Sequence, residues 1–142
     1  MNDTARKFGY PDMVLKEYSH WVALLRPWQV TLGSLVLVCK DDAKSFGSIS
    51  EAAAFELKRV TQDCERALKA AFAYEKINYL MLMMVDPDVH FHVIPRYSTV
   101  KIYAGQEFRD PFWPKPPDVF FANTVPPLVR DRLLADLKGR FG

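Results

Sequence analysis

The sequence contains little cysteine, no long apolar run and no block of charge of one sign. Its two cysteines, Cys39 and Cys64, form neither a CxxC pair nor a secreted disulfide framework, which favours two reduced structural thiols. No stretch approaches the roughly 20 apolar residues of a membrane span, and the N-terminal residues lack the apolar segment of a signal peptide. We therefore expect a cytoplasmic protein with no membrane attachment.

Charge does not single out a partner. The 19 Lys and Arg residues are interspersed with 17 Asp and Glu residues, so the net charge is only +2. A basic segment like those of nucleic-acid-binding arms is missing, and we predict no nucleic-acid partner. The 142 residues, 49% of them hydrophobic, suffice for one domain with its own core, and we predict a single domain over residues 1–142.

The hydrophobic pattern predicts three strands in an antiparallel meander, then a long helix, then two more strands. Apolar residues recur every three or four positions from Ala53 to Phe72, which predicts an amphipathic helix capped by Ser48 or Ser50. The run from Ile77 to Val85 is apolar at successive positions and predicts an interior strand covered on both faces. The five predicted strands lie within residues 14–18, 20–26, 34–40, 77–85 and 89–95.

Proline is concentrated near the C-terminus. Six of the ten prolines lie between Pro111 and Pro127, among aromatic residues, and such a segment is typical of an extended arm laid across a surface. A last helix is predicted in residues 128–141. We therefore expect a core of about residues 14–97 and a C-terminal extension of about residues 98–142 within one domain.

Two of the three histidines, His90 and His92, lie within the stretch "DPDVHFHVIPRY". Side chains alternate along a strand, so Asp88, His90 and His92 are predicted to share one face. The apolar residues between them would face the helix. The polar set would then face a cleft.

Three interpretations of this polar face remain open. The histidines could be structural residues of a half-exposed sheet. They could bind a metal ion with Asp88 as a third ligand, since His-x-His on a strand is a common zinc arrangement. They could also carry out covalent catalysis at phosphorus, in which one neutral imidazole attacks and the other donates a hydrogen bond to the phosphate oxygens.

The motif "DVHFHVIPRY" resembles the His-φ-His-φ-His-φ-φ signature of the histidine triad superfamily, where φ is apolar. Its "HVIPR" portion is most similar to the dinucleoside polyphosphate hydrolase branch, and the order of elements agrees over residues 14–97. The resemblance implies an α+β fold with a five-stranded antiparallel sheet and a long helix packed on one face. It also implies a homodimer that joins two sheets.

The resemblance further implies a nucleotide hydrolase or transferase of the acid-anhydride type. His90 would attack the α-phosphate of a nucleoside phosphate anhydride, ester or phosphoramidate, for example a diadenosine polyphosphate, and form a nucleotidyl-histidine intermediate. His92 would bind the transferred phosphate, and Asp88, in the first triad position, would be an auxiliary acid or a charge-tuner. No catalytic metal is required in that branch, although Mg²⁺ can accompany the phosphate substrate.

The sequence departs from the family pattern at several substrate-binding positions. Ser34 replaces the histidine of a Gly-His pair, and Arg26 replaces a ribose-binding Asn or Asp, which favours phosphate contact by Arg26. Leu35 and Leu37 are candidates to line an apolar base pocket, with ordinary strand core as the alternative. The Gly-rich loop that supports the leaving group is missing, which leaves Arg96, Lys101 or the aromatic arm around Trp113 to replace it.

Two other functions remain alternatives. The missing loop, Ser34 and Arg26 favour a catalytically weak nucleotide-binding module. Alternatively, Asp88, His90 and His92 would be the ligands of a metal-dependent hydrolase.

Overall fold

Seven strands and three α-helices make up the chain, which the computed structural model describes from residue 1 to residue 142. The helices are α1 (Asp3–Lys7), α2 (Glu51–Phe72) and α3 (Pro127–Phe141). The strands are β1 (Val14–Glu17), β2 (Trp21–Leu25), β3 (Leu35–Cys39), β4 (Lys76–Leu80), β5 (His90–Arg96), β6 (Lys101–Tyr103) and β7 (Gln106–Phe108). None of the helices combines the length and the apolar character needed to cross a membrane.

Five strands form one antiparallel sheet in the order β1-β2-β3-β5-β4, and β6 and β7 form a separate hairpin. The predicted α+β fold with a five-stranded antiparallel sheet is therefore confirmed. The histidine strand β5 lies between β3 and β4, so it is hydrogen-bonded on both sides. This central place fixes the direction in which each of its side chains points.

The long helix α2 packs on one face of the sheet through a stripe that includes Val60, Cys64 and Leu68, all of which are fully buried. The helix begins where it was predicted to begin. The Ser50 hydroxyl accepts a hydrogen bond from the Ala53 backbone N–H at 3.1 Å, so Ser50 is the cap. Between β2 and β3 the chain passes so close to α2 that a Cβ atom on Gly33, whose φ is +86°, would lie 2.9 Å from the Phe72 ring.

The prediction of a covered interior strand over residues 77–85 was wrong. The strand β4 ends at Leu80 and lies at the edge of the sheet, and the next residues leave it, with Met83 in the left-handed region at φ 55° and Met84 86% exposed. An apolar run alone does not distinguish a covered strand from an apolar segment that borders a pocket. Residues 81–87 are such a segment.

The opposite face of the sheet is covered by α1 and by the proline-rich arm, whereas α3 packs against α2 and joins the main core. The short helix α1, which the sequence analysis did not predict, packs Ala5 and Phe8 against Val36 and Val38 of β3. The proline-rich arm, which was predicted, is held to the sheet by Arg96, whose guanidinium donates to both carboxylate oxygens of Asp110 at 2.7 and 3.0 Å. These two covers leave an opening between them, above the histidines of β5.

Candidate active site

His90 and His92 emerge on the same face of β5 and line one pocket of about 310 Å³. Their ring centroids are 5.1 Å apart and the rings are nearly perpendicular, at 85°. Both residues are buried, at 2% and 6% exposure, yet both border the opening. The rest of the lining is formed by Lys7, Phe8, Arg26, Trp28, residues 82–86 and residues 119–122.

The protonation of His90 is set by a backbone carbonyl. Its Nδ1 lies 2.6 Å from the carbonyl oxygen of Asp88. A carbonyl oxygen can only accept, so Nδ1 carries the proton and donates it. In the neutral ring Nε2 then keeps a free lone pair, which is the requirement for a nucleophile at neutral pH.

His92 has the complementary arrangement. Its Nδ1 is buried and has no hydrogen-bond partner. Burial lowers the pKa of His92 to about 4, and the nearby charges of Arg26 and His90 act in the same direction. The ring is therefore neutral at pH 7, and its single proton belongs on Nε2, because a buried N–H without an acceptor is the costlier alternative. His92 is suited to donate a hydrogen bond from Nε2.

Arg26 contributes a buried positive charge without a counter-ion. It is 6% exposed, and its two terminal nitrogens donate to the carbonyl oxygens of Trp28 at 2.6 Å and Val119 at 2.8 Å. Its Nε has no partner, and no carboxylate forms an ion pair with it. Burial lowers the pKa of Arg26 to about 10, so the side chain stays charged at pH 7. A buried cation that lacks an anion beside a pocket indicates an anionic ligand.

Solved structures with the same arrangement of elements are histidine triad proteins. One from Sinorhizobium meliloti superposes with a TM-score of 0.77 at 22% identity, covering 99% of this chain and 95% of its own. One from Bradyrhizobium japonicum gives 0.76 at 17% identity, covering 100% and 97%. A hypothetical histidine triad nucleotide-binding protein from Sulfolobus tokodaii gives 0.67 at 17% identity, covering 91% and 83%.

The chain has the histidine triad fold. The identities of these neighbours are low enough that they establish the fold alone. No family model matches the sequence, and a search of curated proteins gave no significant match. Activity must therefore be argued from the site.

Asp88, which was predicted to share a face with the two histidines, does not line the pocket. Its carboxylate accepts hydrogen bonds from the Thr4 N–H at 3.3 Å, the Thr4 hydroxyl at 2.9 Å and the Lys44 ammonium at 2.6 Å. Burial opposes its ionisation, but the hydrogen bonds from Lys44 and Thr4 hold the pKa of Asp88 below its ordinary value. Asp88 precedes β5, which begins at His90, and its carboxylate instead binds α1, the helix that covers the histidine face. The three side chains that the metal-dependent alternative needs therefore do not converge.

Leu35 and Leu37 lie in the core between the sheet and α2, so the prediction that they line the pocket was wrong. The pairing of β3 with β5 explains why. Leu35 lies opposite Val93, whereas Val36 lies opposite His92. Side chains of directly paired residues point to the same face, so the valines of β3, and not its leucines, share the histidine face.

Two other predicted substrate contacts are occupied elsewhere. Ser34 is fully buried; its hydroxyl donates to the Thr31 carbonyl at 2.8 Å and accepts from the Thr31 N–H at 3.0 Å. Arg96 binds Asp110, and it also donates to Asn78 at 2.8 Å and to the Lys115 carbonyl at 2.7 Å. Neither residue borders the pocket, and Arg96 instead fastens the C-terminal arm to β5.

Phe8 is the most central residue that the sequence analysis did not identify. The centre of its ring lies 6.1 Å from that of His90, 5.6 Å from that of His92 and 5.7 Å from the Arg26 guanidinium carbon. Asn2 caps α1, and this polar residue ahead of "DTARK" was the available signal for a helix there. Nothing local to the N-terminus indicates that the helix lies over a site more than 80 residues away in the chain.

The mouth of the pocket is apolar. Trp28, Leu82, Met84, Val85 and Phe120 all line it, and they are between 46% and 87% exposed. They come from three separate segments of the chain. Exposed apolar side chains that gather around one opening are typical of a binding site for a ligand with a flat or apolar part.

Proposed function

We propose that the protein is a nucleotide hydrolase or transferase that attacks the α-phosphate of a nucleoside phosphate anhydride, ester or phosphoramidate. The observation that carries this proposal is the pairing of two buried imidazoles with complementary protonation beside the unpaired charge of Arg26. A nucleophile, a hydrogen-bond donor and a cation around one pocket are the groups that phosphoryl transfer requires. The histidine triad fold supports the same chemistry.

In the first step, Nε2 of His90 attacks the α-phosphorus while the bond to the leaving group breaks, and its electron pair departs with that group. Nε2 of His92 donates a hydrogen bond to a non-bridging oxygen, and the charge of Arg26 offsets the negative charge of the phosphate. In the second step, water attacks the phosphorus of the nucleotidyl-histidine. The P–N bond breaks and its electron pair returns to Nε2, so His90 is restored as the neutral ring. The nucleoside monophosphate leaves with the oxygen and one proton of the water, and the other proton passes to solvent.

Within this mechanism Asp88 acts as a positioning residue. Its carbonyl oxygen holds the His90 ring, and its carboxylate ties the same peptide segment to Thr4 and Lys44. The expected role of an auxiliary acid is replaced by one in which Asp88 acts through His90. A carboxylate that faces away from the phosphate also avoids repelling it.

The pocket is large enough for one nucleoside monophosphate, whose base would contact the apolar mouth around Trp28 and Phe120. Mg²⁺ would arrive with the phosphate substrate and is not needed by the site residues. The proposal includes a cytoplasmic homodimer. The outer side of β4 has no neighbouring strand, which leaves an edge available for a second sheet.

A nucleotide-binding module without catalysis is the second candidate. It is favoured by the segment of residues 81–87, which replaces the Gly-rich loop and brings apolar side chains and no Gln or Ser to the pocket. Such a module would bind the nucleotide with the same Arg26 and His92. It would not form the covalent intermediate.

The test is to incubate the purified protein, with Mg²⁺ present, with a diadenosine polyphosphate and with an adenosine phosphoramidate. We expect AMP release by chromatography, and a nucleotide adduct by intact mass after a quench that avoids acid. His90→Ala should abolish both signals. His20→Ala is the matched control, because His20 is far from the pocket and lies near Asp41. Turnover that survives in His90→Ala would overturn the proposal, and binding without turnover in the wild type would favour the module.

A further inference from the structure

One ion pair lies on the wall of the pocket without a role in the mechanism above. The Lys7 ammonium donates to both carboxylate oxygens of Asp86, at 2.9 and 3.0 Å, and both residues line the pocket. The Lys7 Nζ lies 5.7 Å from the centre of the Phe8 ring, and the same ring packs against His90 and His92. The pair therefore borders the same pocket as the two histidines.

We propose that Lys7 is a catalytic residue that binds the leaving group, and that the site is built for anhydrides whose leaving group is itself a phosphate. This inference rests on the proposed function. It gives Lys7 of α1 the role of supporting the leaving group, which the missing Gly-rich loop would otherwise have. It also names the substrate class as nucleoside polyphosphates, and not phosphoramidates or esters whose leaving groups carry no phosphate.

The other cations near the site are already engaged. The terminal nitrogens of Arg26 donate hydrogen bonds to two carbonyl oxygens. Lys44 binds Asp88, and Arg96 binds Asp110. Apart from Arg26, Lys7 is the one cationic residue in the pocket lining. Its side chain is 45% exposed, so a substrate can reach it.

Asp86 orients Lys7 without using up its hydrogen-bonding capacity. An ammonium group has three N–H donors, and the two carboxylate oxygens occupy two of them. The third remains free for a phosphate oxygen. Asp86 is held by the segment that follows β4 and is less exposed, at 18%, than its partner. The pair thus presents a positioned donor at the mouth of the pocket.

The chemical step needs no proton from Lys7. As His90 forms the N–P bond, the bond between the α-phosphorus and the bridging oxygen breaks, and the electron pair moves to that oxygen. Charge therefore accumulates on the departing phosphate. A hydrogen bond from the Lys7 ammonium stabilises this charge, and the ammonium remains protonated throughout.

The experiment compares two substrates that share the transferred nucleotide and differ in the leaving group. Diadenosine tetraphosphate releases a polyanion, whereas the p-nitrophenyl ester of AMP releases a stable phenolate that needs no cation. We expect Lys7→Met to lower kcat/KM for the tetraphosphate by about 10- to 100-fold, the loss of one charge-assisted hydrogen bond, and to leave the ester unchanged. Lys7→Arg should restore part of the rate, and Asp86→Asn should fall between wild type and Lys7→Met.

Arg6→Met is the matched control, because Arg6 lies beside Lys7 on α1 but is 59% exposed and pairs with Asp3. Equal losses on both substrates in Lys7→Met would mean that Lys7 only maintains the structure, and an unchanged tetraphosphate rate would mean that it has no role. Either result overturns the inference while wild-type turnover and its loss in His90→Ala still support the proposed function. Absence of wild-type turnover on both substrates would overturn the proposed function and this inference with it.

Discussion

Asp88→Asn is the substitution that best tests how the segment that precedes His90 is held in place. The Asp88 side chain is 4% exposed and accepts hydrogen bonds from Thr4 and Lys44. Asparagine has the size of aspartate but no charge. Its amide N–H groups would lie opposite Thr4 and Lys44, which are themselves hydrogen-bond donors to this side chain. The change therefore weakens every contact of this carboxylate at once.

The magnitude follows from the burial of each contact. Lys44 is 60% exposed, so its ion pair with Asp88 is screened by solvent and contributes less than the buried contacts. The hydrogen bonds from Thr4 are buried and reach a charged acceptor, so they contribute about 1.5–3 kcal/mol. We expect Asp88→Asn to lower the free energy of unfolding by about 1.5–3 kcal/mol.

The assay is urea denaturation followed by tryptophan fluorescence at pH 7, with Lys44→Met and Thr4→Val as controls. Lys44→Met should lower the free energy of unfolding less than Asp88→Asn does, and Thr4→Val should lower it more than Lys44→Met. The pKa of Asp88 is lowered in the folded state, so its contribution is present above the ordinary value of 3.8 and is lost as the pH falls through the folded value. An Asp88→Asn protein no less stable than Lys44→Met would refute the reasoning.

Three further outcomes are expected. Between pH 6.5 and about 4, His92 is protonated in the unfolded chain and neutral in the folded protein. The free energy of unfolding should therefore fall by up to about 1.4 kcal/mol per pH unit as the pH drops. His92→Gln should remove this slope in urea titrations at several pH values. Arg96→Met leaves Asp110 buried and unpaired, and should cost about 3–5 kcal/mol in thermal unfolding and make the C-terminal arm sensitive to protease. Leu37→Ala should cost about 2–5 kcal/mol in the same measurement while KM stays unchanged, because Leu37 lies in the core beneath α2; a raised KM would contradict its placement.

Local patterns predicted the sheet, α2 and the shared face of His90 and His92. Alternation works in β5 because that strand is regular and paired on both sides. The same rule, applied to β3, would have excluded Leu35 and Leu37 from the pocket, but only once the register of β3 against β5 was known. Register is a property of two distant segments, and the sequence of one strand does not specify it.

The walls of the pocket could not be predicted, because they depend on contacts between segments far apart in the chain. Phe8 lies beside the histidines because α1 is held on the sheet by contacts such as that of Thr4 with Asp88, 84 positions away. The arm was predicted as an extended segment, but its course past Arg26 depends on contacts such as the hydrogen bond from Arg26 to the Val119 carbonyl. Neither contact leaves a periodic trace in the sequence.

The placement of α1 and the arm over the same opening has a practical consequence for anyone who handles the protein. The central sheet, α2 and α3 share one hydrophobic core, whereas Lys7, Phe8 and residues 119–122 supply much of what surrounds the histidines. A preparation clipped ahead of β1 would still show ordered strands by circular dichroism. Its spectrum would resemble that of the intact protein, but the pocket beside His90 and His92 would be open to bulk water.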